Sequence, residues 1–175
     1  MKNILTLLLL LCTLPAARAA EAVTPDQRLA ALGLSLPVVS PVIANYVPAV
    51  RTGNLVFLAG QVARNADGKI LTGKVGRELT EAEGAVAART CALQLLAALQ
   101  AEIGDLAKVK RIVRVGGFVN CTDDFTAQPK VVNGASDLLV AVFGDAGRHA
   151  RAAVGVSSLP AGAPVEIELI AEMAD

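Results

Sequence analysis

"RAAVGVSSLPAGAPVEIELIAEM", residues 151–173, decides how the rest of the chain is read. Arg151 heads one apolar run, and Glu166 and Glu168 stand inside a second. The Pro and Gly of "SLPAGA" separate the runs, which predicts strands over Arg151–Ser157 and Val165–Met173. Two residues apart on a strand, Glu166 and Glu168 face the same way one pleat along. Two readings stand open. The guanidinium and an acid belong to one site, or they are the charged edge of a β-hairpin.

Working outward, "KVVNGASDLLVAVFG" predicts a helix over roughly Ala127 to Phe143, broken by Gly144, Asp145 and Gly147. Before it, "AKVKRIVRVGGFVN" alternates basic and apolar residues from Lys108 to Arg114, the pattern of a half-exposed strand whose cations share a solvated face. The longest helix begins at "TEAEGAVAARTCALQLLAALQAEIG". Thr80 and Glu83 form a capping box and Gly104 ends the run. Leu93, Leu96, Leu99 and Ile103 fall at helical spacing, a face for packing on a sheet. Further upstream, "YVPAVRTGNLVFLAGQVA" reads as a hairpin turning at Thr52-Gly53-Asn54, followed by a turn at Asp67-Gly68. "TPDQRLAALGL" is a short helix with Thr24 as N-cap, Pro25 in its first turn and Gly33 as its stop. Pro37 and Pro41 then favour an extended arm.

The resulting order, β-β-α-β-α-β-β, has no internal repeat and no linker. It predicts an α+β fold in which two helices cover one face of a sheet. The other face is apolar as well, so self-association is expected to bury it.

The chain has 175 residues, 54% of them hydrophobic, with a formal net charge of zero, which suits one domain with a substantial core. Balanced charge and 3% aromatic content argue against nucleic acid as a partner. Residues 1–20 carry one Lys, an apolar run from Ile4 to Leu14, and Ala17-Arg18-Ala19, an A-x-A cleavage pattern. A cleavable signal peptide is expected, with a periplasmic or secreted mature chain and no stable membrane anchor. Cys12 falls within the discarded run. Cys91 and Cys121 fit neither a redox motif nor a zinc spacing, and the lone His149 cannot complete a metal site with them; they are read as buried, inert thiols.

The stretches "NYVPAVRTGNLVFLAGQ", "KVVNGASDLLVAVFG" and "HARAAVGVSSLPAGAPVEIELIAEM" together resemble the Rid family (YjgF, reactive intermediate deaminase, formerly L-PSP endoribonuclease). The likeness runs from about Ala44 to the C-terminus. "QPKVVNGASDLLVAVFGDAGRHAR" marks a divergent branch. The resemblance divides the chain into a signal peptide (1–20), an N-terminal helix and extended arm (21–45) and a Rid-like domain (46–175). It implies a chorismate-mutase-like sheet with two helices on one face, closed into a homotrimeric barrel with ligand clefts between neighbouring subunits. The function it implies is that of a 2-iminobutanoate/2-iminopropanoate deaminase-type hydrolase. Such an enzyme turns 2-imino or enamine acids into 2-keto acids and ammonia, with no cofactor and no metal. Rival readings are a non-catalytic small-carboxylate binder or holdase-like protective protein and, less well supported, a ribonuclease.

The same resemblance distributes roles. Arg151 matches the carboxylate-binding arginine, and a planar five-donor fork is the best side chain for that task. Glu166 matches the acid that orients water, where imine hydrolysis needs both an aimed water and a proton for the leaving nitrogen. Glu168 is read as structural. Tyr46 matches a cleft-lining tyrosine, with a buried anchor for the arm as the competing reading. Asn133 matches a polar contact on the second long helix, with local helix bonding as its rival. Gly60 matches a position where backbone approaches the ligand. Ala59 and Ala153 replace a Ser and a Cys common in the family. His149 has no counterpart there and is read as a surface loop residue.

Overall fold

The computed structural model describes residues 23–39, 44–65 and 67–174. The expected signal peptide lies outside them, as does part of the arm. The elements are α1 (Pro25–Ala31), β1 (Ala49–Thr52), β2 (Leu55–Val62), α2 (Glu81–Ile103), β3 (Val109–Asn120), α3 (Gln128–Phe143), β4 (Ala150–Val156) and β5 (Val165–Met173), with short 3-10 turns between some of them. The α+β class and the helix-covered sheet are as the sequence predicts.

Local chemistry sets the boundaries. Thr80 Oγ1 accepts from the Glu83 N–H at 3.2 Å while Glu83 Oε2 accepts from the Thr80 N–H at 2.8 Å, the reciprocal capping box that starts α2. Thr24 and Gln27 make the same exchange at the head of α1. Gly53 and Gly68 take positive φ in the two predicted turns, where an L side chain would be strained.

The sheet order is β1-β2-β5-β3-β4. This removes the hairpin reading of residues 151–173, because β4 and β5 are not neighbours. β5 inserts between β2 and β3, antiparallel to both, and β4 pairs parallel with β3 on its far side. Burial explains the choice. Val165, Ile167, Leu169, Ala171 and Met173 are all buried beneath the helices, and the residues between them are half-buried, the signature of a central strand. β4 is an edge strand, exposed along most of its length.

Both long helices cover the same face, over Val115, Val119, Ile167 and Leu169. They cross closely: a Cβ on Gly134 would collide with the Ala85 carbonyl, so α3 can lie against α2 only with glycine there. Pressed between sheet and α3, α2 buries more than the predicted stripe. Leu95, Cys91 and Gln94 are buried, whereas Leu93 is only half-buried. The cations of β3 do not form one simple row: Lys110 and Arg111 are adjacent, and the register shifts at Val109/Arg111 and Ile112/Arg114 interrupt the alternation further. Lys108 Nζ instead donates to the Ile103 carbonyl at the end of α2, at 2.9 Å.

The opposite face of the sheet has no helix. Val50, Phe57 and Val154 stand 53%, 41% and 45% exposed on it, with Phe118 and Ile170 half-buried among them. These apolar side chains share the face with Glu166, Glu168 and Arg114, so it is mixed rather than the wholly apolar face that the sequence suggests.

Candidate functional site

The predicted site residues form two groups. The first sits on edge strand β4 and α3. In register with Val115, Arg151 points to the helix-covered side of the sheet, where α3 presents Asn133 and Ser136 one turn apart. Arg151 Nη1 donates to Asn133 Oδ1 at 2.8 Å and to Ser136 Oγ at 3.0 Å. Both hydrogens of that nitrogen are thereby used. The Nε and Nη2 hydrogens bond to no described residue, and the side chain is exposed, so an open two-donor edge of the fork faces outward. Asn133 therefore serves Arg151 rather than its own helix.

His149 belongs to this group and is not the surface residue that the sequence suggests. It is half-buried, with Nδ1 2.6 Å from the Gly147 carbonyl and Nε2 3.0 Å from Ser136 Oγ. A carbonyl only accepts, so Nδ1 carries the proton and Nε2 accepts from the Ser136 hydroxyl. Burial holds the imidazole below its ordinary pKa, and the Arg151 charge acts the same way, keeping it neutral. A directed chain results, in which Ser136 gives its proton to His149 and keeps a lone pair for Arg151. Sequence reading missed Ser136 and took His149 for a surface loop residue. The available signal was the pairing of "NGAS", whose polar residues are three apart on one helix face, with "HAR", two apart on one strand.

The second group lies around β2 and β5. Glu166 is opposite Phe118, on the face without helices. With Tyr46 and Gly60 it lines a cavity of about 200 Å³. Gly60 falls where the β2–β5 register shifts between Leu58 and Gln61. A Cβ on it would overlap Glu166 Oε1 and lie 2.9 Å from Cδ, so the carboxylate occupies the space that glycine leaves. Burial, and then the neighbouring Glu168 charge, push the Glu166 carboxyl above its ordinary pKa. A carboxyl raised in this way holds a proton more readily than an ordinary one, which suits it to taking and returning one. Glu168 faces the same way, as predicted, but is 3.7 Å from the Arg114 guanidinium. Tyr46, 54% exposed, is not a buried anchor; it stands at the cavity wall.

Within one chain the groups stay apart. Strand β3 separates β4 from β5, so Arg151 and Glu166 are two strand spacings apart laterally, roughly 10 Å, and on opposite faces of the sheet. Neither Arg151 nor Asn133 lines the Glu166 cavity. Among the described residues no group of three or more His, Cys, Asp or Glu side chains is placed to hold a metal ion. Cys91 and Cys121 are free and buried, and burial drives the Cys91 thiol far up, in keeping with inert core thiols.

A sheet of this order, two helices on one face, an arginine on its edge strand and a glutamate on its central strand define a recognisable class of protein. The chain belongs to the YjgF/chorismate mutase-like, "putative endoribonuclease" family, whose model matches residues 26–173 and so takes in α1 and the arm as well. It is similar to Protein TCP17 of Trypanosoma cruzi, 48% identical over 143 residues, covering 81% of this chain and 89% of that one. It is also similar to the 2-iminobutanoate/2-iminopropanoate deaminase of Dermatophagoides farinae, 30% identical over 138 residues, covering 78% and 92%. Among solved structures, a protein of Agrobacterium tumefaciens described as of unknown function superposes with a TM-score of 0.80 at 45% identity, covering 86% of this chain and 92% of that one.

Proposed function

We propose that the chain hydrolyses reactive 2-imino acids and their enamine tautomers, and that its two groups of residues are halves of one site joined across a subunit boundary. The observation that carries this reading is the state of Arg151: one nitrogen is anchored on α3 and the Nε–Nη2 edge is left open, the geometry of a bidentate carboxylate clamp. A clamp on an exposed edge strand and an acid beside an apolar sheet face suit a homotrimer in which the edge of one subunit meets the open face of the next. The arrangement brings a substrate carboxylate to Arg151 of one subunit and its imine carbon to Glu166 of the neighbour.

In this reading Glu166 takes a proton from water as the oxygen adds to the C=N carbon, giving a carbinolamine. The carboxyl returns that proton to nitrogen to complete the carbinolamine, then takes the hydroxyl proton and passes it to nitrogen as the C=O bond forms and the C–N bond breaks, so that ammonia and the 2-keto acid leave. The chain supplies orientation and proton transfer, which together account for large rate effects. Export, read from residues 1–20, would place this chemistry outside the cytoplasm, on imines formed there.

A second reading has one observation in its favour. Ala59 and Ala153 offer no hydroxyl or thiol beside the site, which suits a small-carboxylate binder without turnover. One assay separates the two. Imines are generated from several amino acids with an amino-acid oxidase, and ammonia release is followed against trapping by semicarbazide. Acceleration by the protein supports hydrolysis; none with any of them leaves only binding.

A further inference from the structure

We propose that the Glu166 cavity contains a side-chain subsite, formed by Gln94 and Arg64, that selects substrates ending in a carboxamide; it rests on the imine-hydrolase reading above. Gln94 is a polar residue inside an apolar helix, only 9% exposed. Its Nε2 donates to the Val62 carbonyl at 3.0 Å, which fixes the amide and leaves Oε1 as its other end. That oxygen receives no hydrogen bond from any described residue. It is not sealed in the core either, unlike Asn120 Oδ1, which is buried without a partner. Gln94 lines both the Glu166 cavity and the one adjoining it, which sets its amide at their junction.

Arg64 lines the same cavity. Its Nη1 donates to the Gly68 carbonyl at 2.8 Å, which ties the guanidinium to the 65–68 turn, and its other N–H groups bond to no described residue. Ile70 adds apolar lining, and Val38 and Val39 stand exposed at the rim. Arg64, Gln94, Val38 and Val39 also line an adjoining cavity of about 750 Å³ along α2, so they form a waist between the Glu166 end and open space.

The chemistry of this waist discriminates among side chains. An apolar group covers Gln94 Oε1 and Arg64 without bonding either, and unpaired polar groups are costly to bury. A carboxylate pairs with Arg64 but sets oxygen against Gln94 Oε1, and places a like charge near Glu166. A carboxamide satisfies both, its NH₂ donating to Gln94 Oε1 and its carbonyl accepting from Arg64. The substrate class is therefore 2-imino or enamine acids of the glutamine type.

The test has a kinetic and a binding arm, on the wild type and on Arg64→Met and Gln94→Leu. Imines generated from glutamine, glutamate and methionine are compared by kcat/KM, and glutaramate, glutarate and hexanoate by calorimetry. The glutamine-derived imine and glutaramate are expected to lead their counterparts by ~10-fold, with the ratio falling towards one in either variant. Arg64→Met decides the matter if Gln94→Leu fails to fold. Turnover of all three imines with no carboxamide preference overturns the subsite and leaves the hydrolase reading standing. A glutaramate preference lost in the variants, without turnover of any imine, supports the subsite and removes the hydrolase reading. Equal binding of the three acids overturns the subsite whatever the kinetics.

Discussion

Gly60→Ala tests the acid half of the site without altering a charge. Gly60 does not have positive φ, so its backbone accepts an alanine, and the strain falls on Glu166. The new methyl would stand 2.9 Å from Glu166 Cδ and 3.1 Å from Cγ, with Oε1 closer still. Carbon atoms rest about 3.5–4 Å apart, so the carboxyl carbon must retreat by roughly 1 Å. Displacing a catalytic group by ~1 Å costs on the order of 10²-fold in rate. The loss should appear in kcat rather than KM, because Arg151, which holds the substrate carboxylate, is untouched. The assay is ammonia release from oxidase-generated imine, with circular dichroism and light scattering to show that fold and assembly persist. A folded, assembled Gly60→Ala protein within twofold of wild-type kcat would refute the reasoning, since Glu166 would then not need the position that Gly60 preserves.

Three further outcomes follow from the same geometry. Arg151→Ala is expected to abolish carboxylate binding and turnover with assembly intact, and Arg151→Lys to restore only part, because a point charge cannot reproduce the two-donor edge; loss of the assembled state in Arg151→Ala, seen by light scattering, would assign Arg151 to structure instead. Ser136→Ala removes one of the two acceptors that hold Arg151 Nη1, so KM should rise about fivefold with kcat little changed, and an equal fall in kcat would contradict a positioning role. For Glu166 the folded pKa lies above the ordinary value of 4.5, so its contribution to stability is fully present below that value and is lost as pH rises through the folded one. Glu166→Gln should therefore lose turnover while its Tm gains on the wild type as pH rises from the ordinary carboxyl value of 4.5 through the higher folded one; a Tm difference that does not vary with pH would mean the carboxyl is not destabilised by burial.

Much of the fold was legible because its signals are local. The Thr80–Glu83 box, the Gly53 and Gly68 turns and the Val165–Met173 strand each lie within one short segment, and each appears where its residues place it. The insertion of β5 between β2 and β3 was not legible. It is settled by pairing of strands far apart in the chain, and a run rich in alternate apolar residues does not name its neighbours. Hence the hairpin reading of residues 151–173 survived until the topology removed it. The site shows the same division. Arg151, Glu166, Tyr46, Gly60 and Asn133 were named through the resemblance, but their separation into two groups depends on strand order and on which face each residue takes. Ser136 was overlooked and His149 taken for a surface residue because a serine in a helix and a histidine after a turn are ordinary alone. Only the meeting of α3 and β4 makes them supports for Arg151. Gln94 was overlooked for the opposite reason: "CALQLLAAL" reads as a core helix, and its one polar side chain becomes meaningful only beside a cavity.

The central claim is that one working site takes Arg151 from one subunit and Glu166 from the next, and mixed assembly tests it most directly. Arg151→Ala and Glu166→Gln subunits, each inactive alone, are combined at equal concentration, unfolded together and refolded, with differently tagged chains to verify that hybrids form. In a trimer with clefts at its boundaries, every hybrid contains one cleft with both side chains intact. Random mixing makes three-quarters of the assemblies hybrid, so the mixture should recover about one quarter of wild-type turnover. Verified hybrids with no recovered turnover would contradict the shared site.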